Sequence, residues 1–306
     1  MISKDGMILH SRKTTYIPIK RNKFSENDPR GNQRMIKRWM VISTAFLITL
    51  TAIPLHAGQY AHSLGVSFKY SYYDYQEINE PEPFKSNEAG YLPGLHVSYS
   101  YDGIKNPLYV RLLFEYTEGK TDYDGATQGG TPVRDKTNNR FNTWEGNMGF
   151  TLKPRSSEFP VGITFYTGFG YRYWYRGLGG QYPYSEEYSW KYIPVGVRGT
   201  YRMSKKWTGE VDIAAWFIFD GEIKVNLSEA DSNYNNPKAA LGNTMGWKIE
   251  IPFNYQLSNH WSLNLVPSYE NYSFGKSDLF SITYAGMPTP LVGHEPDSRT
   301  SIYSIR

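Results

Sequence analysis

The chain has 306 residues, with 33 Lys and Arg against 29 Asp and Glu for a formal net charge of +4, and it contains 27 Tyr, 28 Gly and no Cys. The lack of cysteine excludes a disulfide framework, thiolate metal sites and cysteine nucleophiles. Ten of the basic and three of the acidic residues precede residue 58, so residues 58–306 hold 23 basic against 26 acidic, and the apparent basicity carries no expectation of nucleic acid.

Residues 1–34 are polar, charged and aperiodic. They read as an upstream extension or a disordered segment, with translation starting at Met35. Lys37 and Arg38 then precede an apolar run, residues 39–53, followed by Pro54, Leu55, His56 and Ala57. A basic end, a short hydrophobic core and small residues at the cut make a secretory signal peptide, residues 35–57, cleaved after Ala57. The run is shorter than the ~20 residues that a spanning helix needs, and no later stretch reaches that length. An exported, Tyr- and Gly-rich chain can then enter a membrane only as a closed barrel, because hydrocarbon offers the backbone no other hydrogen-bond partner. Residues 58–306 are expected to form that barrel.

Period-two alternation marks about ten strands. The first, residues 63–75, puts Leu64, Val66, Phe68, Tyr70 and Tyr72 on one face. The second, 95–101, repeats this with Leu95, Val97, Tyr99 and Tyr101. In the third, 108–118, Leu108, Val110, Leu112, Phe114 and Tyr116 oppose Arg111 and Glu115; in the fourth, 141–152, Trp144, Met148, Phe150 and Leu152 oppose Glu145 and Asn147. The fifth, from Val161 through Arg176, sets Ile163, Phe165, Phe169, Tyr171, Tyr173 and Tyr175 against Arg172, Trp174 and Arg176. The sixth and seventh, 188–202 and 207–220, turn Arg198, Glu210 and Asp212 away from their apolar faces; the eighth, 244–257, does so with Lys248 and Glu250. The ninth runs over 261–272, with Glu270 on its polar phase, and the tenth over 297–306.

Connections alternate between short (102–107, 153–160, 203–206, 258–260) and long, Gly/Asn/Pro-rich ones (76–93, 119–139, 177–187, 221–243, 273–296). Short periplasmic turns and long outer loops are the pattern of a transmembrane antiparallel up-and-down β-barrel, an all-β fold. Two short turns share a spacing, YRMSKKW and YQLSNHW, so Tyr201, Trp207, Tyr255 and Trp261 are expected to form an aromatic girdle at the headgroups. The chain stops at SIYSIR where barrels of this class finish on an aromatic, so a truncated or divergent last strand is expected; the alternative is that Tyr303 and Ile305 serve in place of the aromatic.

These ten strands, the alternating links and segments such as YIPVGVRGTYRMSKKWTGEVDIAAWFIF (residues 192–219) resemble the omptin-type outer-membrane barrels. That resemblance implies the barrel, and for the family's proteases an Asp pair facing an Asp–His pair near the outer rim. After the seventh strand this chain reads FDGEIKVNLSEADSNY, with Asp220 and Glu222 but no histidine. After the first it reads YDYQEINEPEPF, with Asp74 and no Asp pair. The protease motif is therefore not matched, and no catalytic residue is expected. His62, His96, His260 and His294 each have a structural account, although His96 stands near Ser98 and Ser100 and His294 near Glu295 and Asp297.

Arg111, Glu115, Glu145, Arg172, Arg198, Glu210, Asp212, Lys248 and Glu250 share the inward phase. A barrel near ten strands is too narrow for an open porin channel, so these side chains should pair across the lumen. Arg172 and Arg176 are expected to find Glu186 or Glu187, with Arg172, the deeper, mattering more to stability. The expectation is a monomeric outer-membrane barrel of a Gram-negative bacterium with a structural or surface-interaction role, no cofactor and no metal. Its partners would be outer-membrane lipid, lipopolysaccharide and the barrel-assembly machinery. The alternatives are an omptin-like protease or other surface hydrolase, and a narrow channel.

Overall fold

Seven long antiparallel strands come first in the computed structural model: β1 (Tyr60–Glu77), β2 (Asn87–Gly103), β3 (Leu108–Ala126), β4 (Pro132–Leu152), β5 (Val161–Leu178), β6 (Tyr184–Arg202) and β7 (Trp207–Asn226). A turn of 3-10 helix (Leu227–Glu229) and a short strand β8 (Lys238–Ala240), which pairs with β7, lead to β9 (Thr244–Glu250) and β10 (Phe253–Gln256). These two are the halves of the eighth barrel strand, and both pair with β7. They part at Pro252, which has no N–H to give the ladder although its carbonyl still accepts from Glu210 N at 2.8 Å. The ninth barrel strand is likewise split at Val266, into β11 (Ser262–Leu265) and β12 (Pro267–Phe274). A separate hairpin, β13 (Phe280–Tyr284) with β14 (Met287–Gly293), precedes β15 (Ser298–Ile305). Pairing of β15 with both β12 and β1 closes the ring, and the result is a ten-stranded antiparallel barrel.

The structure describes residues 60–78, 85–103, 106–126, 131–152, 161–179, 183–242, 244–258 and 260–306, which belong to one unit, Ala57–Arg306. The upstream extension, the signal peptide and its cleavage at Ala57 lie outside the described residues.

The strands are far longer than their hydropathy indicates. A crossing takes about 9–11 residues, whereas β3 has 19 and β4 has 21. On the outer face of β3 the side chains run Leu108, Val110, Leu112, Phe114 and Tyr116, then Glu118, Lys120, Asp122 and Asp124. On β1 they pass from Tyr72 to Asp74, and on β6 from Ile193 to Lys191. A lipid boundary therefore girdles the barrel near Tyr72, Tyr116 and Ile193, and the strands continue well above it. The expected long outer loops at 76–93, 119–139 and 177–187 are corrected accordingly: most of those residues are ladder, with Thr121 opposite Thr137 and Arg176 opposite Asn139. Above the lipid the outer face turns polar while the inner face mixes buried rings with polar groups, so the apolar-outward alternation disappears while backbone pairing persists. Cross-strand ion pairs such as Arg134–Asp124 (3.0 Å) and Lys191–Asp220 (3.0 Å) line that exposed outer wall.

The inward phase is continuous except on β7. Asp220 adopts a positive φ of 50° and adds one residue opposite the Ser189–Lys191 step of β6. This bulge moves the buried positions from the even side, Trp216 and Ile218, to the odd side, Ile223 and Val225. Two inward glycines admit rings from neighbouring strands. A Cβ on Gly170 would collide with the ring of Tyr192, and one on Gly196 with that of Tyr166.

Candidate functional site

The lumen is filled in tiers. Within the lipid band one connected ion-pair network crosses it. Lys69 Nζ lies 2.9 Å from Glu115 and 3.7 Å from Glu270. Arg172 donates to Glu270 at 2.9 Å and to Thr143 Oγ1 at 2.9 Å. Lys248 reaches Glu250 at 2.8 Å and Glu270 at 3.7 Å. Arg111 stands 3.5 Å from Glu250 and 3.9 Å from Asp212. Arg306 forks onto both oxygens of Glu250 at 2.8 and 3.1 Å and approaches Glu115 at 3.5 Å. His96 Nδ1 meets that same oxygen of Glu115, Oε1, at 2.9 Å, while Lys69 holds Oε2. Charges at such separations in a dry interior hold one another firmly, and each is costly if its partner is lost.

Below this network, Arg198 stands 3.3 Å from Asp102 and 3.8 Å from Glu210, with its guanidinium over the Tyr109 ring at 4.4 Å. Level with the network, Tyr192 donates to Glu145 at 2.8 Å and Asn147 donates to it at 2.7 Å.

Above the network lies an aromatic tier. Phe141 stacks on Trp174 at 5.4 Å, Trp174 on Tyr188 at 4.2 Å, and Tyr73 tilts against Phe141 at 5.5 Å. Trp190 closes the far side against Tyr272 and Phe274 at 5.3 and 5.0 Å. Trp174 and Trp190 are completely buried.

The top tier is acidic. Arg176 donates to Glu88 at 2.7 Å and to Glu186 at 3.0 Å, with Glu77 and Glu295 buried around it. Glu88 also accepts from Thr121, Thr137 and Asn139. Glu295 accepts from Tyr75 at 3.1 Å and meets Tyr188 OH at 2.9 Å.

Each inward charge read from the sequence thus faces the lumen, but the partners differ from the local ones expected. Arg172 finds Glu270 instead of Glu186 or Glu187; Arg176 does take Glu186; Glu187 faces Lys224 at 3.3 Å and accepts from Tyr173 at 3.1 Å. Sequence reasoning passed over Lys69, although the alternation of β1 sets it opposite Phe68 and Tyr70, and it passed over Arg306. Glu88 and Glu295 lie in stretches that read as loops, where no periodicity distinguishes them. His96 is buried against Glu115, its Nδ1 2.9 Å from the carboxylate. Asp220 and Glu222 are engaged on the exposed wall, by Lys191 at 3.0 Å and Lys238 at 2.7 Å. At the short turns Trp207 lies opposite Tyr255 with ring centroids 4.8 Å apart, and Tyr201 and Trp261 are exposed beside them. Among the described residues no group of three or more His, Asp or Glu is arranged to hold a metal ion.

No family model and no curated protein matches this chain. Among solved structures, outer membrane protease OmpT from Escherichia coli is similar with a TM-score of 0.50, covering 83% of this chain and 97% of that one at 8% identity. A major outer membrane protein from Thermus thermophilus covers 78% and 99% at 14% identity with a TM-score of 0.30. A deletion mutant of the TodX monoaromatic hydrocarbon channel covers 81% and 89% at 8% identity with a TM-score of 0.32. In architecture, then, this chain is a closed ten-stranded antiparallel transmembrane β-barrel that resembles the omptins.

Proposed function

We propose that this protein is an integral outer-membrane barrel of a Gram-negative bacterium whose role is structural or surface-interacting, with neither catalysis nor conduction. The observation that carries this reading is the filled lumen: an ion-pair network within the lipid band and a tier of stacked rings directly above it. The cavity left between Lys69, Glu115 and Arg172 measures about 10 Å³, room for about one water molecule. An outer-membrane location is supported by the fold and by the apolar band ending in tyrosines, which lipid and lipopolysaccharide would cover. The chain would be inserted as a monomer by the barrel-assembly machinery. Planar-bilayer recording of refolded protein is expected to show no conductance steps; a stable open level would replace this reading with that of a narrow channel.

The OmpT-like architecture favours a second reading, a surface hydrolase. Against it stand the lysine contacts of Asp220 and Glu222, which occupy the place where the resemblance would put an Asp–His pair. Peptide and lipid hydrolysis assays separate the two: turnover that Asp220→Asn abolishes would establish the hydrolase.

A further inference from the structure

The last outer segment, residues 275–297, carries the β13–β14 hairpin and is fastened to the barrel mouth at its base. Ile78 N donates to Asp297 O at 2.7 Å, Ser277 N to Glu295 O at 2.9 Å, and Glu295 N to Ser277 Oγ at 2.8 Å. Between these contacts the Glu295 side chain turns into the acidic tier and is 7% exposed.

The hydroxyl of Tyr188 lies 2.9 Å from Glu186 Oε2 and 2.9 Å from Glu295 Oε1. A phenol has one proton to give. Both contacts can be hydrogen bonds only if one of the two carboxyls is itself protonated and donates to the phenol oxygen. Glu186 already takes the Arg176 guanidinium at 3.0 Å. Among the described residues Glu295 has no ion-pair partner within reach, and its Oε1 keeps a lone pair for Tyr75 OH at 3.1 Å. The charge balance agrees. From β1 come Tyr75 and Glu77, from β2 Glu88, from β3 Tyr123, from β5 Arg176, and from β6 Tyr184, Glu186 and Tyr188. That is four carboxyl groups, Glu295 included, facing one guanidinium. We propose that Glu295 carries a proton in the docked state and that this proton latches the last outer segment, with its hairpin, onto the barrel mouth.

Burial, with the neighbouring Glu186 and Glu77 charges, raises the Glu295 carboxyl to about 8. Its docked value lies above its free value, so the latch is at full strength below the ordinary carboxylate range and weakens as pH rises towards about 8. The hairpin that it holds has no charged residue between Leu279 and Gly293 and exposes Leu279, Met287 and Val292. The latch therefore governs how an apolar knuckle is presented at the cell surface.

Two measurements on the refolded barrel test this. Infrared difference spectra should show a protonated-carboxyl band at neutral pH that is lost in Glu295→Gln and kept in Glu186→Gln; a band lost in Glu186→Gln instead, or no band, overturns the assignment of the proton. Hydrogen exchange of residues 275–297, corrected for intrinsic rates, should rise about tenfold per pH unit between the free and docked carboxyl values, the slope of one proton. Glu295→Gln, whose amide keeps a donor in place, should fold and flatten that slope. Equal slopes in both proteins, or a flat wild type, would overturn the latch even if the carboxyl is protonated. Neither outcome depends on whether the barrel conducts or hydrolyses.

Discussion

The lumen holds two charge clusters on the same inward phase, separated by a floor of stacked rings. The lower, level with the lipid, sets Lys69, Arg111, Arg172, Lys248 and Arg306 against Glu115, Asp212, Glu250 and Glu270. The upper, above the lipid, sets Arg176 against Glu77, Glu88, Glu186 and Glu295. The difference follows from the surroundings. Where hydrocarbon encloses the wall, an unmatched charge has no water to turn to, and near-balance is the tolerable state. Above the lipid, protons can be exchanged with water, and an excess of carboxyls becomes a device that senses pH.

The contrast breaks hardest at Glu270, which is fully buried and shared by Arg172, Lys69 and Lys248. Glu270→Ala should cost about 3–5 kcal/mol in urea unfolding from lipid vesicles, because three cations lose a partner. A loss under about 1 kcal/mol would mean that the network is wet and screened.

Arg176→Ala attacks the other side of the comparison. It leaves four carboxyls without a cation, so it should cost about 3 kcal/mol at pH 8 and much less at pH 5, where protons neutralise the excess. Arg172→Ala should be nearly independent of pH over the same interval, and the sequence-based ranking of Arg172 above Arg176 should reverse at pH 8. Identical pH profiles for the two variants would erase the distinction between the clusters.

On the outer wall Ile249 lies in register with Ile213 and Tyr269, inside the lipid band. Ile249→Arg should cost about 2–4 kcal/mol if near the midplane. Full stability in bilayers would show that the boundary at Tyr72, Tyr116 and Ile193 is misplaced. Above that boundary, Lys191→Ala removes a partner of Asp220 whose own side chain is half exposed. A change within about 0.5 kcal/mol is expected by the same assay, and a larger one would mean that the upper wall contacts lipid.

Much of the barrel was legible from residue order. Leu108 to Tyr116 on one face and Arg111 with Glu115 on the other report two media, and a strand in two media must alternate whatever its neighbours are. The upper half of the strands was not legible, because beyond Tyr116 the outer face meets water and is charged, so the apolar-outward alternation ends and the pattern reads as loop. The bulge at Asp220 was equally silent: one residue at positive φ moves Glu222 to the outside, and no composition signal accompanies it.

The sequence by itself determined which residues face lipid, which face inward, and how many strands there are, since each of those is a response to the local medium. Only the tertiary structure decided who pairs with whom. Arg172 and Glu270 lie 98 residues apart and Glu295 and Tyr188 lie 107 apart, and ring closure, through the register of β15 on β1 and β12, sets their heights and brings them within hydrogen-bonding reach.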